Sequence, residues 1–340
     1  MGQLFCCGKV NNNNNPMNSE AIMQLNRYKI SNKNTIGKVP LIHFDTKNLT
    51  EILLSKNFKY NMIYYDINKD ESIIIEKKLE RIKNLIGMSE LNLNNNLYIC
   101  GNSYLDSESL QGSFLFQLDP INPETNILPN SKYTHYYPAL ISIQDKYIYC
   151  IGGKNQFHCE MYDINENKWS SLPNLPEERY LCTLSYDKLN NIVYLFGGLN
   201  EKNKIHKNKL SIEYDYLLRL KDDINIGLNW EKIIVKNNKY LLNRISSGSL
   251  FLGGQENNIY IFGGKDEQSN LLDDIIKYNI ENQTFHELNK KLDFPTEFLN
   301  QYPIKSNLDN FLYIFLDRFN KPININMSNL IEVSLDEIKI

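Results

Sequence analysis

The sequence predicts an all-β fold, built from a four-stranded unit repeated about every 50 residues. The first observation is a set of five apolar runs that end alike: LYICGN (97–102), YIYCIGGK (147–154), IVYLFGGL (192–199), IYIFGGK (259–265) and LYIFLD (312–317). Tyr98, Tyr149, Tyr194, Tyr260 and Tyr313 each stand three positions before a common point. That point is a double glycine in three copies, Gly152–Gly153, Gly197–Gly198 and Gly263–Gly264. It is reduced to Gly101–Asn102 in one copy and to Leu316–Asp317 in another, with spacings of 51, 45, 66 and 53 residues. A short run rich in tyrosine and β-branched residues suits a strand, and paired glycines let the chain turn at its end without a Cβ penalty.

The second observation lies downstream. YDINENKW (162–169) places Tyr162 seven residues before Trp169, and YNIENQTF (278–285) repeats the spacing with Tyr278 and Phe285. Both read as strand, polar turn, strand, a hairpin closed by Asn, Asp and Glu. The third observation lies upstream: Arg179 precedes Gly197 by 18 residues and Arg244 precedes Gly263 by 19, each ahead of an apolar strand, YLCTLSY and ISSGSLFL. Each unit therefore reads as four short strands with almost no helix. The copy at 197 keeps its glycines and carries a long insertion before Trp230.

Arg, strand, Tyr-rich strand, Gly-Gly and Tyr-x6-Trp together resemble the kelch repeat of β-propellers. Gly152–Gly153 with Tyr162 and Trp169 is a close match, and Gly263–Gly264 with Tyr278 and Phe285 a good one. The resemblance covers residues 85–340 and implies a kelch-type β-propeller spanning 40–340, with residues 1–39 as a separate leash. At about 50 residues per unit this span allows six four-stranded blades, with seven as the alternative. Five are visible, and the sixth is expected from 40–80. There IHFDTKNLTEIL (42–53) and YYDINKDESIII (64–75) both look like outer hairpins.

In a four-stranded antiparallel blade the turn from second to third strand and the link to the next blade emerge on the same face. Propellers that resemble this one commonly bind partners there. The insertion after Gly198 carries Lys202, Lys204, Lys207 and Lys209 around His206. These lysines read either as a solvated loop tip or as a contact for an acidic protein segment or anionic lipid. Arg179 and Arg244 fall where such repeats place an arginine near the channel mouth, and His135, 17 residues before Gly152, aligns with them. A guanidinium fork suits a carboxylate from a partner. The alternative is a structural bridge between blades.

An enzyme is the competing class. An oxidase that resembles galactose oxidase needs a copper site with two histidines, and the five histidines here fall in separate units. A sugar-acid mutarotase on a similar ring would use Arg and acidic residues such as Glu177, Glu178 and Arg179. No nucleophile motif, P-loop or dinucleotide fingerprint is present, and the glycine pairs end strands instead of opening helices. The expected function is a non-catalytic protein-binding scaffold or adaptor, with no cofactor and no metal.

Composition sets the remaining limits. Apolar residues make up 42% and charged residues 23%, ordinary for a globular protein. A net charge of −3 gives no electrostatic case for nucleic acid. No apolar run reaches about 18 residues, and no secretory leader is visible. Cys100, Cys150, Cys159 and Cys182 lie in or beside strand-like runs without zinc spacing, as buried thiols of a reducing cytoplasm do. The opening MGQLFCCGKV adds a membrane expectation. Gly2 is placed for N-myristoylation and Cys6 and Cys7 for S-palmitoylation, although Cys6 stands where the myristoylation pattern has Ser or Thr. One acyl chain anchors marginally and a second makes the anchor stable. The asparagine-rich stretch that follows reads as a polar leash to the cytosolic face of a membrane.

Overall fold

The computed structural model describes residues 87–94, 96–102, 112–119, 125–200, 215–235, 243–252, 257–293 and 295–297. It also describes, as backbone alone, the flanking strands and a short inserted hairpin given below. The chain opens with β1 (Lys38–His43), β2 (Lys59–Asp66) and β3 (Glu71–Lys78), which form a three-stranded antiparallel sheet. The first blade is β4 (Met88–Leu93), β5 (Asn96–Gly101), β6 (Phe114–Leu118) and β7 (Thr125–Leu128). The second is β8 (Ala139–Ile143), β9 (Tyr147–Gly153), β10 (Gln156–Asp163) and β11 (Lys168–Leu172).

The third blade starts with β12 (Thr183–Asp187) and β13 (Ile192–Phe196). An inserted hairpin of β14 (Ile205–His206) and β15 (Lys209–Leu210) follows, and then β16 (Tyr216–Asp223) and β17 (Gly227–Ile234) complete the blade. The fourth is β18 (Gly248–Leu252), β19 (Asn258–Phe262), β20 (Asp274–Asn279) and β21 (Thr284–Lys291). The chain ends in a three-stranded sheet of β22 (Ile304–Lys305), β23 (Phe311–Phe315) and β24 (Leu330–Ser334). No helix occurs among the described residues.

The count corrects the sequence reading. Four blades are four-stranded where six, or alternatively seven, were expected, and the two outer sheets each show three strands among the described residues. Those two sheets have no glycine after the second strand, whereas every four-stranded blade keeps at least the first glycine of the pair, Gly101 in the first blade. Of the two hairpins expected in 40–80, the second is present as β2–β3, with Asp66 paired to Glu71. The first lies largely outside the described residues; its opening residues Ile42 and His43 belong to β1, which pairs with β2.

Within the four blades the tyrosine register holds. Tyr98, Tyr149, Tyr194 and Tyr260 all lie on second strands, β5, β9, β13 and β19, and Tyr313 lies on β23. Innermost strands β4, β8, β12 and β18 stand beside one another in chain order, so the blades succeed one another about a common axis. A hydrogen bond from Thr183 Oγ1 to Ser249 Oγ at 3.1 Å joins two of these inner strands. The apolar core lies between blades. Tyr98, Cys100 and Leu115 of the first pack on Leu140, Ile148, Cys150 and Tyr162 of the second. Tyr194, Phe196 and Leu217 of the third meet Ile259, Ile261, Tyr278 and Phe285 of the fourth. Because a middle strand is covered on both faces, it reads as a continuous apolar run and not as an alternation. Cys100, Cys150 and Cys159 are buried in this packing, and Cys182 sits half-buried just before β12.

Candidate interaction face

The strand directions put every Gly-Gly turn on one face of the molecule, together with the links 129–138 and 173–182 and the described link residues 243–247 and 295–297. Turns 144–146, 164–167, 188–191, 224–226 and 280–283 lie on the opposite face. The Gly-Gly face is held by a joint that repeats from blade to blade. The amide after each second strand donates to a carbonyl of the following blade: Asn102 to His135 at 2.9 Å, Gly153 to Arg179 at 2.7 Å, Gly198 to Arg244 at 3.0 Å and Gly264 to Thr296 at 2.7 Å. Gly152 must be glycine for two reasons. Its φ is +62°, and a Cβ there would meet the Arg179 carbonyl oxygen at 2.5 Å.

The side chains of His135, Arg179 and Arg244 complete the same joint from within. Arg179 Nη1 donates to the Gly197 carbonyl at 2.9 Å, and Arg244 Nη1 donates to the Gly263 carbonyl at 2.9 Å. His135 Nδ1–H donates to the Gly152 carbonyl at 2.6 Å. Each cation or ring also meets an acid. Arg244 clasps Asp274 with two bonds of 2.9 Å, Arg179 Nη2 reaches Glu177 at 3.0 Å, and His135 Nε2 reaches Glu160 at 3.0 Å. All three are buried, and the forks expected to receive a partner's carboxylate are turned onto carboxylates of the chain itself. The alignment of His135 with the two arginines is therefore a structural equivalence.

Two of the acids are tuned by these contacts. Burial would push Glu160 up, but the His135 bond and the amides of Lys132 and Tyr133, at 2.9 and 3.0 Å, outweigh it and hold the carboxyl below its usual range. Burial likewise opposes Glu177, which Tyr216 Oη–H and Arg179 bring below its ordinary value. Tyr216 is itself pushed up to about 12 by burial and by the bond to Glu177. Its ring lies 5.3 Å from the Arg179 guanidinium carbon and 4.3 Å from Lys232 Nζ.

The open part of the face is chemically divided. On the second blade Tyr133 stacks on His158 with ring centres 3.7 Å apart, and Phe157 stacks on the other side at 4.4 Å. Phe157 is 44% exposed, and Lys132 Nζ lies 5.0 Å from the centre of the Tyr133 ring. On the fourth blade Asp266 caps its turn through the amides of Gln268 and Asn270, and Lys265 pairs with Glu297 at 2.5 Å. One corner is aromatic with a lysine at its edge; the other is acidic and polar.

The outer rim repeats a second joint. Trp169 Nε1–H donates to the Pro129 carbonyl at 2.7 Å, and Trp230 Nε1–H donates to the Pro173 carbonyl at 3.0 Å. In each case the proline follows the fourth strand of the preceding blade. Tyr162 pairs in register with Trp169 and Tyr278 with Phe285, as the seven-residue spacing predicts.

Other sequence-predicted residues fall differently. Lys209 lies on β15, where its backbone pairs with His206. Lys202, Lys204 and Lys207 lie outside the described residues, as do Gly2, Cys6 and Cys7. Sequence reasoning missed Glu160, Asp274 and Glu177 as partners of the basic positions, and it missed the Tyr133–His158–Phe157 stack. A buried cation implies a nearby acid, but the acid's distance along the chain differs in every blade. No three His, Cys, Asp or Glu side chains converge as metal ligands among the described residues.

The motif model described as Kelch motif matches residues 135–176 and 254–291, the units of the second and fourth blades. A solved structure titled "Structure of YjhT" is similar over 76% of this chain and 84% of that one, with a TM-score of 0.55 and 12% identity. At that identity the likeness shows the fold alone. No curated protein matches the chain. The molecule is an all-β, kelch-type β-propeller.

Proposed function

We propose that the chain is a non-catalytic adaptor that takes a protein partner on its Gly-Gly face, and that N-terminal acylation holds it at the cytosolic side of a membrane. The observation that carries the first half is the pairing of rigid joints with an open aromatic corner. Repeated backbone and side-chain bonds fix the link loops, and Tyr133, His158 and Phe157 present ring surface on them. Aromatic side chains offer large contact area at low conformational cost, which is why they anchor interfaces. The basic insertion with Lys202, Lys204, Lys207 and Lys209 follows the Gly197–Gly198 pair in the sequence, and its charge suits an acidic segment of the partner.

The test compares faces. A tagged chain crosslinked in cells is expected to hold a defined partner. Phe157→Ala with Tyr133→Ala should lose it, while Ile224→Ser on the opposite face keeps it. Loss with Ile224→Ser alone would place the partner on the other side and overturn the assignment. The anchor is tested by fractionation: wild type in the membrane pellet, with Gly2→Ala and Cys6→Ser/Cys7→Ser in the supernatant. Wild type in the supernatant would make the chain a free adaptor.

A further inference from the structure

Consecutive residues of a strand point their side chains to opposite faces of the sheet. Phe157 and His158 depart from that rule, since their rings stack with centres 4.4 Å apart. The cause is a step in register at the start of β10. Gln156 pairs with Gly153 and Cys159 with Ile151, so three residue steps on β10 oppose two on β9. A bulge of this kind re-aims a side chain and is found at sheet edges and beside functional sites. The other three blades have none between second and third strands: β5–β6, β13–β16 and β19–β20 pair in unbroken register. The bulge is also held in place. Gln156 Oε1 accepts from the amides of Phe157 and His158, both at 3.1 Å, and from His158 Nδ1–H. Gln156 Nε2 donates to the Thr134 carbonyl at 3.3 Å, which ties the bulge to the link that carries Tyr133.

The stack has two unlike ends. At one, Tyr133 lies 3.7 Å from His158, and Lys132 Nζ lies 5.0 Å from the centre of the Tyr133 ring. Lys132 is exposed, and its ammonium forms no ion pair with an acid among the described residues. The carboxylate beside this loop, Glu160, is occupied by the amides of Lys132 and Tyr133 and by His135. At the other end the Phe157 ring is 44% exposed. Uncompensated positive charge calls for negative charge in a partner, and an exposed ring takes a further ring, offset or edge-on. From Lys132 Nζ to the Phe157 ring the steps are 5.0, 3.7 and 4.4 Å, which an extended chain covers in about four residues at ~3.3 Å each.

We propose that this bulge-built corner recognises an extended acidic segment of another protein, in which an aromatic residue seated on Phe157 stands about four residues from an acidic residue that reaches Lys132. The inference rests on the use proposed for the Gly-Gly face and names the chemistry that face selects. A basic segment is repelled by Lys132, and a wholly apolar one would cover the ammonium without giving it a counter-charge. An aromatic residue alone would use one end of the stack and leave the other idle.

The experiment selects binders of the immobilised full chain from a phage-displayed library of random peptides, and then measures the affinity of the enriched peptides in solution. They should carry an aromatic and an acidic residue about four positions apart. Phe157→Ala should weaken the best of them at least about tenfold, as loss of an interface anchor does. Lys132→Met should weaken it about two- to fivefold, as loss of an exposed ion pair does. Lys132→Glu should lose more, and should bind a peptide with lysine in place of the acid better than wild type does, an exchange that a misfolded variant cannot produce. No enrichment, enrichment of peptides without the pair, or an affinity unchanged in Phe157→Ala would overturn the proposal. So would a wild-type dimer that Phe157→Ala turns into a monomer, because a second copy would then cover the rings. If the peptides bind as described but do not displace the partner crosslinked in cells, the recognition stands and the adaptor role proposed for this face fails.

Discussion

Arg179 and Arg244 occupy the same position in neighbouring blades, each donating to the first glycine carbonyl of its own unit at 2.9 Å, yet the two joints differ in how deeply they are sealed. Arg244 grips Asp274 with both ends of its fork, and the two side chains are 4% and 13% exposed. Arg179 gives Glu177 a single bond, and Glu177 is 27% exposed and shared with Tyr216. A repeated position therefore does not carry a repeated energy. What the repeat conserves in geometry is the bond to the glycine carbonyl; how much the ion pair adds depends on what water can reach.

The largest test of that contrast removes each guanidinium. Arg244→Met leaves Asp274 without its fork and the Gly263 carbonyl without its donor, and should cost about 3–5 kcal/mol, as for a broken buried pair. Arg179→Met leaves Glu177 with Tyr216 and solvent, and the loss should be about 1–3 kcal/mol. Urea unfolding of the two variants beside wild type measures both. Equal losses would mean that the glycine carbonyl bond, and not the acid, dominates the joint.

The glycine side of the joint comes next. Gly152→Ala places a Cβ 2.5 Å from the Arg179 oxygen at a φ of +62°, and the joint must open. A cost above about 2 kcal/mol is expected from the strained backbone and the contact together. Gly101 belongs to the degenerate copy, and a Cβ there meets nothing closer than 3.0 Å. Its φ of +131° is still one that only glycine adopts freely, so the same denaturation measurement should find Gly101→Ala destabilising through its backbone and not through a collision.

These joints also mark what the sequence discloses. The strand register was legible because tyrosines and glycines recur at fixed offsets: all four complete blades carry the tyrosine and the first glycine, and three carry the pair. His135, Arg179 and Arg244 were legible as equivalent positions for the same reason, since a backbone joint fixes their distance from the glycines. Their acids were not. Glu160 follows Gly152 on the third strand, Asp274 opens the third strand after a longer turn, and Glu177 precedes its arginine by two residues. Three unlike routes bring an acid to one place, and no spacing can report that. The aromatic corner was hidden likewise, because Tyr133 on a link between blades meets His158 at the start of β10, 25 residues on.

Acid gives a smaller test of the joint at the second blade. Glu160 has a folded-state value below that of an unfolded glutamate, so its contribution is full above about pH 4.3 and is lost as the pH falls through the lower, folded value. Wild type should therefore lose stability below about pH 4 more steeply than Glu160→Gln, whose amide does not titrate in that range. Thermal unfolding between about pH 3 and about pH 6 reads the slope. Parallel slopes would show that the Lys132 and Tyr133 amides bind the neutral side chain as well as the carboxylate.

The outer rim gives the mildest test. Trp230 and Trp169 each tie the fourth strand of one blade to the proline carbonyl that follows the previous blade, while the fourth blade has Phe285 in the corresponding register and no ring N–H to give. If the rim bond is what tryptophan supplies, Trp230→Phe turns the third blade into the fourth blade's arrangement and removes one hydrogen bond from a largely buried site. About 1 kcal/mol should be lost, since the Pro173 carbonyl is left to find water. Trp169 is less buried and its bond is closer to solvent, so Trp169→Phe should cost less still. Urea denaturation ranks the two. A larger loss at Trp169 would show that its tilted ring contact with Tyr162, 5.3 Å between centres, outweighs the bond, and that ring packing holds the rim, as the tilted pair of Phe285 and Tyr278 at 4.8 Å would in the fourth blade.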